Sequence, residues 1–393
     1  MKDNKQYNRN LNEGYKPQWS KFVRLSFFRF ILMSAFLLLL TNCSNEDDPP
    51  AVTVDRVLLV YMGGNNNLSD EVVEKLQAIS KGYDGTPNHK ILVYYKTDNK
   101  APTSLVELRA KDNSPLNVST YGDVNSADPE VFHRVILDAL NRYPHASFNL
   151  LIFSHASGWL PDDSFSNPKT RSILVDGNKR MELSDFSAAI PDGMFKYIIF
   201  EMCYMAGIEV AYQLRDKTEY IIASSAEIVS PGFTPLYEKN VGDLLSDNPQ
   251  TFVKKAFNMI DQKSGSYRSA TFSVIQTDKL NALAGYVKAH CDFALETTIN
   301  INSVQHFDRG TGDLFYDFED YYSRLMHTQA EKEQLSAMIE NCVIWKAATP
   351  LFMEYDNGFF INKHSGFTSY ITQSKYPNLN KKYTFLDWYK AIR

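Results

Sequence analysis

Cysteine is scarce in this sequence. Its 393 residues contain only Cys43, Cys203, Cys291 and Cys342, with no Cys-x-x-Cys pair and no spacing typical of zinc ligands. Neither a disulfide scaffold nor a metal cluster is therefore expected, and no metal ligand is assigned. Cys291 and Cys342 could still pair in an oxidising compartment, so the sequence leaves their redox state open.

Positive charge is also limited. The formal net charge is -5 at pH 7 and no basic stripe is present, so nucleic acid is not expected as a partner. Hydrophobic residues make up 44% of the chain, which is enough for a sizeable core. A chain of this length favours one large domain, or a domain with an appended subdomain, and we expect a monomer.

Long hydrophobic runs are missing as well. The apolar run at residues 30–40 is too short to span a bilayer, which takes about 20 residues. Basic residues precede it, namely Lys21, Arg24 and Arg29, and this order is typical of a secretory signal. An ordinary signal anchor is the alternative.

The run ends in Leu40-Thr41-Asn42-Cys43, which resembles the lipobox of bacterial lipoproteins. The resemblance implies a signal region at residues 1–43 and acylation of Cys43. Residues 44–54, acidic and then Pro-Pro, are expected to form a flexible tether. We therefore expect a lipid-anchored protein of the cell envelope, at the outer membrane or cell surface of a Gram-negative bacterium.

Continuous apolar runs alternate with helical patterns from residue 55 onward. Strands are predicted at residues 56–62, 90–96, 148–154, 196–202 and 219–224. Apolar strands without polar alternation are typical of a parallel sheet covered on both faces by helices. Beyond residue 260 a strand at 270–276, a helix at 280–298 and a β-like tail are predicted. The expected domains are a core at 55–260 and an integral C-terminal α+β subdomain at 261–393.

Two of these strands run into a reactive side chain. The third strand leads into His155 and the fourth into Cys203. Because ligands bind outside the carboxyl ends of parallel strands, a base and a thiol would meet at one edge of the sheet. A helix at 204–215 would favour the Cys203 thiolate through its dipole. The amides of Cys203 and of Ala156 or Ser157 would stabilise an oxyanion. The alternative is a buried cysteine that merely ends a strand.

Three segments around this pair carry specific motifs. They are Tyr61-Met62-Gly63-Gly64-Asn65-Asn66-Asn67-Leu68, Ser154-His155-Ala156-Ser157-Gly158-Trp159 and Phe200-Glu201-Met202-Cys203-Tyr204-Met205. The set resembles clostripain-type cysteine peptidases, which have an Asn-Asn-Leu turn after the opening strand, then Asp-His-Gly-Ser-Gly-Trp and Phe-Asp-Ala-Cys-Leu-Met. The resemblance runs from about residue 54 into the C-terminal half.

This resemblance implies a caspase-like fold of three α/β/α layers with a mainly parallel sheet. It also implies an endopeptidase that cleaves polypeptides after Arg or Lys, with His155 as base and Cys203 as nucleophile. Glu201, two residues before the cysteine, would contact the basic side chain. A solvated or helix-paired acid is the alternative for Glu201.

The resemblance bears on processing and cofactors too. Family members are often cleaved in the loop after the histidine, so Lys169 and Arg171 are candidate self-cleavage points, with an exposed basic loop as the alternative. No cofactor is required, although calcium assists some relatives. Asp162, Asp163 and Asp176 could help to bind calcium, but they lack EF-hand spacing.

Four residues depart from the family motifs: Ser154, Ala156, Glu201 and Met202. They keep open a second reading, a catalytically inactive relative that binds peptides or partners at the cell surface. A third reading, glycan capture, rests only on aromatic content such as the patch at residues 315–322, for which a place in the core is favoured.

Overall fold

Five parallel strands form the centre of a nine-stranded sheet in this computed structural model, which describes residues 53–97, 102–110, 114–162, 172–309 and 313–393. The expected signal region with Cys43, nearly all of the tether, Asp163 and both candidate cleavage points, Lys169 and Arg171, lie outside the described residues. Thr53–Arg393 form one compact unit.

Helices separate the five parallel strands along the chain. The strands are β1 Arg56–Gly63, β2 His89–Lys96, β3 Thr103–Glu107, β4 Leu116–Gly122, β5 Ser147–Phe153, β6 Val175–Asp176, β7 Lys179–Arg180, β8 Phe195–Glu201, β9 Thr218–Ser224, β10 Thr271–Gln276, β11 Tyr316–Asp317, β12 Val343–Ala348, β13 Leu351–Phe352, β14 Phe359–Phe360 and β15 Thr368–Ser369.

The helices cover both faces of the sheet, and two of them follow the last strand. They are α1 Ser69–Gly82, α2 Pro129–Arg142, α3 Leu183–Ala188, α4 Ile208–Gln213, α5 Thr234–Asn240, α6 Gln250–Asp261, α7 Leu280–His290, α8 Phe318–Tyr322, α9 Gln329–Cys342, α10 Pro377–Tyr383 and α11 Asp387–Ile392. Short 3-10 helices lie at Val241–Leu245, Gly265–Tyr267, Thr277–Lys279, Phe293–Thr298, Ile301–Ser303 and Ser323–Leu325. No helix within these ranges is long and apolar enough to cross a membrane.

The strand order in the large sheet is β12-β10-β9-β8-β5-β1-β2-β3-β4. The five neighbouring strands β2, β1, β5, β8 and β9 pair in parallel. Antiparallel strands extend the sheet at both edges, β3 and β4 at one and β10 and β12 at the other. The predicted mainly parallel sheet is therefore confirmed, and each predicted strand bound lies within one residue of the observed bound.

Both faces of the sheet are buried, which explains the continuous apolar strands. Val57, Leu59 and Tyr61 of β1 pack in one core cluster and the intervening Leu58, Val60 and Met62 in the other, all at 0% exposure. Helix α2 packs on the first face, and helices α1, α5 and α6 pack on the second. This three-layer arrangement is the caspase-like architecture expected from the sequence.

Residues beyond 260 belong to the same unit, because β10 and β12 extend the large sheet. The domain boundary at residue 260 stays a prediction.

The helix predicted at 280–298 is too long: α7 ends at His290, and Asp292 then accepts a hydrogen bond from the Ala294 amide and caps a separate 3-10 turn. The β-like tail is also wrong at its end, where α10 and α11 lie. The sequence is rich in aromatics there because they bury one helix face, as Tyr383 and Trp388 do.

The aromatic patch at residues 315–322 is core. Tyr316, Phe318, Tyr321 and Tyr322 are at most 2% exposed, and the indole of Trp388 donates a hydrogen bond to the Tyr322 hydroxyl at 2.9 Å. A glycan cannot reach rings that are buried in this way, so this aromatic patch does not support the hypothesis of glycan capture.

Cys291 and Cys342 are free thiols in this structure. Burial raises the pKa of each to about 12. Because a thiol reacts as its thiolate, these two cysteines are expected to be inert.

Candidate active site

The register of two parallel strands brings His155 and Cys203 to one edge of the sheet. Phe153, the last residue of β5, is paired with Glu201, the last residue of β8. His155 and Cys203 each lie two residues beyond that pair, so they leave the sheet at the same level. Both line one cleft of about 500 Å³, together with Ala156, Ser157, Tyr204, Glu227, Ile228, Val229, Arg309 and Met353. The structure thus brings together the predicted nucleophile and base.

Cys203 lies in a turn and not at a helix start. Tyr204 has a φ of 61°, and its amide donates a hydrogen bond to the Ala226 carbonyl at 3.0 Å. Helix α4 begins only at Ile208. The helix predicted from residue 204 is therefore wrong at its start, because Tyr204 has a left-handed backbone. The proposed dipole effect on the Cys203 thiolate does not apply at this distance along the chain.

Tyr204 lines the cleft and packs against Phe315. Their rings stack with centroids 4.4 Å apart. Gly158 lies against them with a φ of +59°, and a Cβ at this position would come within 2.7 Å of the Tyr204 carbonyl oxygen. A side chain is excluded here by both conformation and space, which explains the glycine in the histidine motif.

The segment that carries His155 is tied to its neighbours. The Ser154 hydroxyl donates to the Gly63 carbonyl at 2.8 Å and accepts from the Val175 amide at 3.1 Å. His155 Nε2 lies 2.8 Å from Asn67 Oδ1, in the turn that follows β1. Ser154, a departure from the family motif, therefore fixes the end of β5 to two other strands.

The predicted oxyanion donors are partly revised. Ala156 and Cys203 line the cleft, and the role of their amides stays a prediction. The alternative donor, the Ser157 amide, is wrong because it already donates to the Ser172 carbonyl at 3.0 Å. Met202, another departure, is 1% exposed and packs in the core.

Glu201 is not the substrate contact that the sequence suggests. It is 2% exposed, and its carboxylate accepts hydrogen bonds from Lys75 Nζ at 2.7 Å, the Phe233 amide at 2.6 Å and the Tyr237 hydroxyl at 2.5 Å. Lys75 is itself fully buried. Because Lys75 lies in helix α1, Glu201 is the helix-paired acid that the sequence left as an alternative. Its burial excludes a solvated acid and a pocket floor.

Glu227 is the cleft carboxylate that sequence reasoning did not single out. It lines the cleft, and Arg309 Nε donates to its Oε2 at 2.6 Å. This hydrogen bond raises the pKa of the Arg309 guanidinium, which also binds the Asp356 carbonyl. Glu227 and Arg309 are 82 residues apart along the chain, and nothing in the sequence relates them.

Of the three calcium ligands suggested by the sequence, Asp163 lies outside the described residues, and the other two are engaged by protein groups. Asp162 pairs with Arg180, and buried Asp176 accepts hydrogen bonds from Asn65 and Ser126. Across the described ranges, one group of three potential ligands has atoms within 4.8 Å of one another: His306, Asp308 and Asp313. The Asp308 carboxylate there already accepts the Leu314 amide, and calcium prefers oxygen to imidazole, so this group does not fit the ion.

Comparisons with known proteins agree with this architecture. The model of the clostripain family, Peptidase C11, matches residues 60–380. An inactive zymogen of a C11 protease from Parabacteroides distasonis has a TM-score of 0.76 and 29% identity, covering 88% of this chain and 99% of that chain. A secreted C11 cysteine protease from Bacteroides thetaiotaomicron, in complex with an irreversible peptide inhibitor, has a TM-score of 0.75 and 26% identity, covering 86% and 98%.

A search of the curated proteins found no match. The family model nevertheless spans most of the compact unit, including the strand ends that carry His155 and Cys203. This chain belongs to the clostripain family of cysteine peptidases.

Proposed function

We propose that this protein is an endopeptidase that cleaves polypeptides after Arg or Lys, with Cys203 as nucleophile and His155 as base. The observation that carries the proposal is the shared cleft at the ends of two paired parallel strands. The irreversible peptide inhibitor in the relative from Bacteroides thetaiotaomicron supports peptide substrates. Thiol chemistry of this kind needs no cofactor.

Each step follows from the groups in the cleft. His155 accepts the thiol proton while Cys203 Sγ attacks the peptide carbonyl carbon, and the amides of Cys203 and Ala156 stabilise the oxyanion. His155 then gives the proton to the leaving amine, the C–N bond breaks and an acyl-enzyme remains. Water attacks the thioester while His155 takes a water proton, the C–S bond breaks to release the carboxylic acid product, and His155 returns the proton to the Cys203 thiolate.

Preference for a basic side chain is assigned to Glu227 in place of Glu201. The Glu227 carboxylate already binds a guanidinium, that of Arg309, with Nε at 2.6 Å from Oε2. The side chain of Arg309 is 22% exposed and that of Glu227 is 30% exposed, so solvent reaches both groups. An Arg or Lys of the substrate is proposed to replace Arg309 as the cation on Glu227.

A cleavage assay tests this function. Matched peptides with Arg, Lys or Gln before the scissile bond are incubated with the wild type, with Cys203→Ala and with Cys291→Ala, a control thiol outside the cleft. We expect cleavage after Arg and Lys that Cys203→Ala abolishes and Cys291→Ala retains. Undiminished cleavage in Cys203→Ala rejects the nucleophile. A folded wild type that cleaves no peptide favours an inactive, peptide-binding relative.

Location and processing are part of the proposal. We propose a lipid anchor at Cys43 in the cell envelope and self-cleavage after Lys169 or Arg171, with a monomeric chain. These rest on the sequence alone. Loss of radiolabelled lipid in Cys43→Ala tests the anchor. Persistence of the uncleaved chain in Lys169→Gln/Arg171→Gln, but not in the wild type, tests the processing.

A further inference from the structure

We propose that Asn67 is a positioning residue for His155, and this inference rests on the proposed peptidase function. The contact between Asn67 Oδ1 and His155 Nε2 is 2.8 Å. Because Oδ1 can only accept a hydrogen bond, Nε2 must carry the proton in this contact. In the proposed reaction the Cys203 proton then goes to Nδ1. Asn67 thus selects the tautomer that the reaction needs.

The turn that carries Asn67 is fixed on both sides. The Asn66 amide donates to the Gly64 carbonyl at 2.7 Å, and Asn66 Oδ1 accepts from the Leu68 amide at 2.9 Å. Asn66 Nδ2 donates to the Val175 carbonyl at 2.9 Å, which joins the turn to strand β6. The Asn67 side chain is exposed, but the contacts of its neighbours hold the backbone from which it extends. The side-chain oxygen Oδ1 is therefore positioned for His155 before substrate binds.

The charge of the residue suits this role. A hydrogen bond to a ring nitrogen strengthens when the imidazole becomes imidazolium, so Asn67 favours the state in which His155 holds the thiol proton. An amide does this without a fixed negative charge. An aspartate at the same place would add such a charge and raise the pKa of His155 relative to that of the wild type.

Nuclear magnetic resonance of the His155 imidazole tests the inference without turnover. The chain has 8 histidines, and the signals lost in His155→Gln assign the residue. We expect the Nε2–H tautomer in the wild type, loss of that preference in Asn67→Ala, and a His155 pKa raised by about 1 unit in Asn67→Asp. Asn117→Ala, on edge strand β4, is the matched control and should change none of these. An unchanged tautomer in Asn67→Ala, or an unchanged His155 pKa in Asn67→Asp, overturns the inference.

Kinetics give a second readout. Asn67→Ala should lower kcat about 10- to 100-fold with little change in KM. This fold-change is the one expected when a single hydrogen bond to a charged group is lost. Asn67→Asp should recover part of kcat, with the His155 limb of the pH profile moved upward. A merely structural role would leave the limb in place, and that result contradicts the proposal. A wild type without Cys203-dependent turnover rejects the proposed function and leaves the magnetic resonance result to decide on Asn67.

Discussion

Lys75 and Glu201 form a buried ion pair, and Glu201 lies at the end of β8, two residues before Cys203. Lys75 Nζ also donates to Thr234 Oγ1 at 2.8 Å and to the Pro231 carbonyl at 3.1 Å, so its three protons are used. The ammonium lies 4.4 Å from the centre of the Phe153 ring. Removing one charge from such a pair leaves the other uncompensated in the core.

Glu201→Gln is expected to lower the free energy of unfolding by about 3 kcal/mol. The preference for Arg over Gln in matched peptides should not change, because the cleft carboxylate is Glu227. Urea unfolding and the ratio of kcat/KM values measure the two effects. Glu238→Gln is the control: its exposed pair with Lys81 should be worth less than about 1 kcal/mol. Selective loss of basic substrates at unchanged stability would return Glu201 to a substrate role.

The second residue-scale prediction concerns Glu227 and Arg309. Glu227→Gln should lower kcat/KM for Arg peptides about 10- to 100-fold and leave Gln peptides unchanged, because a charge-assisted hydrogen bond is lost. Arg309→Gln should lower KM for Arg peptides, since it removes the internal cation that the substrate replaces. Glu219→Gln at the other end of the sheet serves as control. Equal effects on charged and neutral peptides would reject the assignment.

Between elements, α1 and α5 approach closely at Gly82. A Cβ there would lie 2.3 Å from the Tyr237 carbonyl oxygen and 2.9 Å from that of Glu238. Both obstacles are backbone atoms, so the two helices would have to separate. Gly285 in α7 is different, because a Cβ there meets nothing within 4 Å.

Gly82→Ala is therefore expected to destabilise the fold by about 1–3 kcal/mol through overpacking. Gly285→Ala should stabilise it by roughly 0.5–1 kcal/mol, because alanine suits a helix interior better than glycine. Chemical denaturation of the two variants beside the wild type measures both changes. The same sign for the two substitutions would contradict this reading of the helix contact.

The sequence predicted the central strands well because burial on both faces leaves a simple signal, a continuous apolar run such as residues 148–154. It predicted the connection after Cys203 poorly. That turn depends on Tyr204 in a left-handed conformation and on hydrogen bonds to Ala226 and Ser224 of a neighbouring segment. Such contacts have no local signature, and the apolar residues that follow Cys203 fit a helix equally well.

Over the whole molecule, the strand-end rule and the motifs identified His155 and Cys203. The residue that we propose to bind a basic side chain of the substrate could not be found this way. Glu201 matched the family position, but its partner Lys75 is 126 residues away along the chain. Glu227 meets Arg309 across 82 residues. Which carboxylate faces the core and which faces the cleft is decided by tertiary packing.

Glu209 links α4, after the cysteine turn, to the C-terminal part of the molecule. Its carboxylate accepts the Tyr370 amide at 2.8 Å and the Ser369 hydroxyl at 3.1 Å. Burial raises the pKa of Glu209 from 4.5 to about 7. Between these pH values the folded state holds a proton that the unfolded chain has released, so this group's contribution to stability falls as pH rises through that window.

Glu209→Gln should therefore match the wild type near pH 5 and exceed it at pH 8 by roughly 1–3 kcal/mol in the free energy of unfolding. Urea unfolding at several pH values measures the difference. Burial lowers the pKa of His364 to about 3, which costs stability below about pH 6.5. This cost is the same in the wild type and in Glu209→Gln, so it does not affect their difference. A difference that does not vary with pH would contradict the burial of a titrating Glu209.

The pairing of Cys203 with His155 is tested by covalent trapping. The folded protein is treated with a peptide that ends in arginine and carries an irreversible thiol-reactive group, and the labelled residue is identified by mass spectrometry. We expect one label on Cys203, none on Cys291 or Cys342, and much slower labelling in His155→Gln. An unlabelled Cys203, or labelling that is equally fast in His155→Gln, would contradict the catalytic pair.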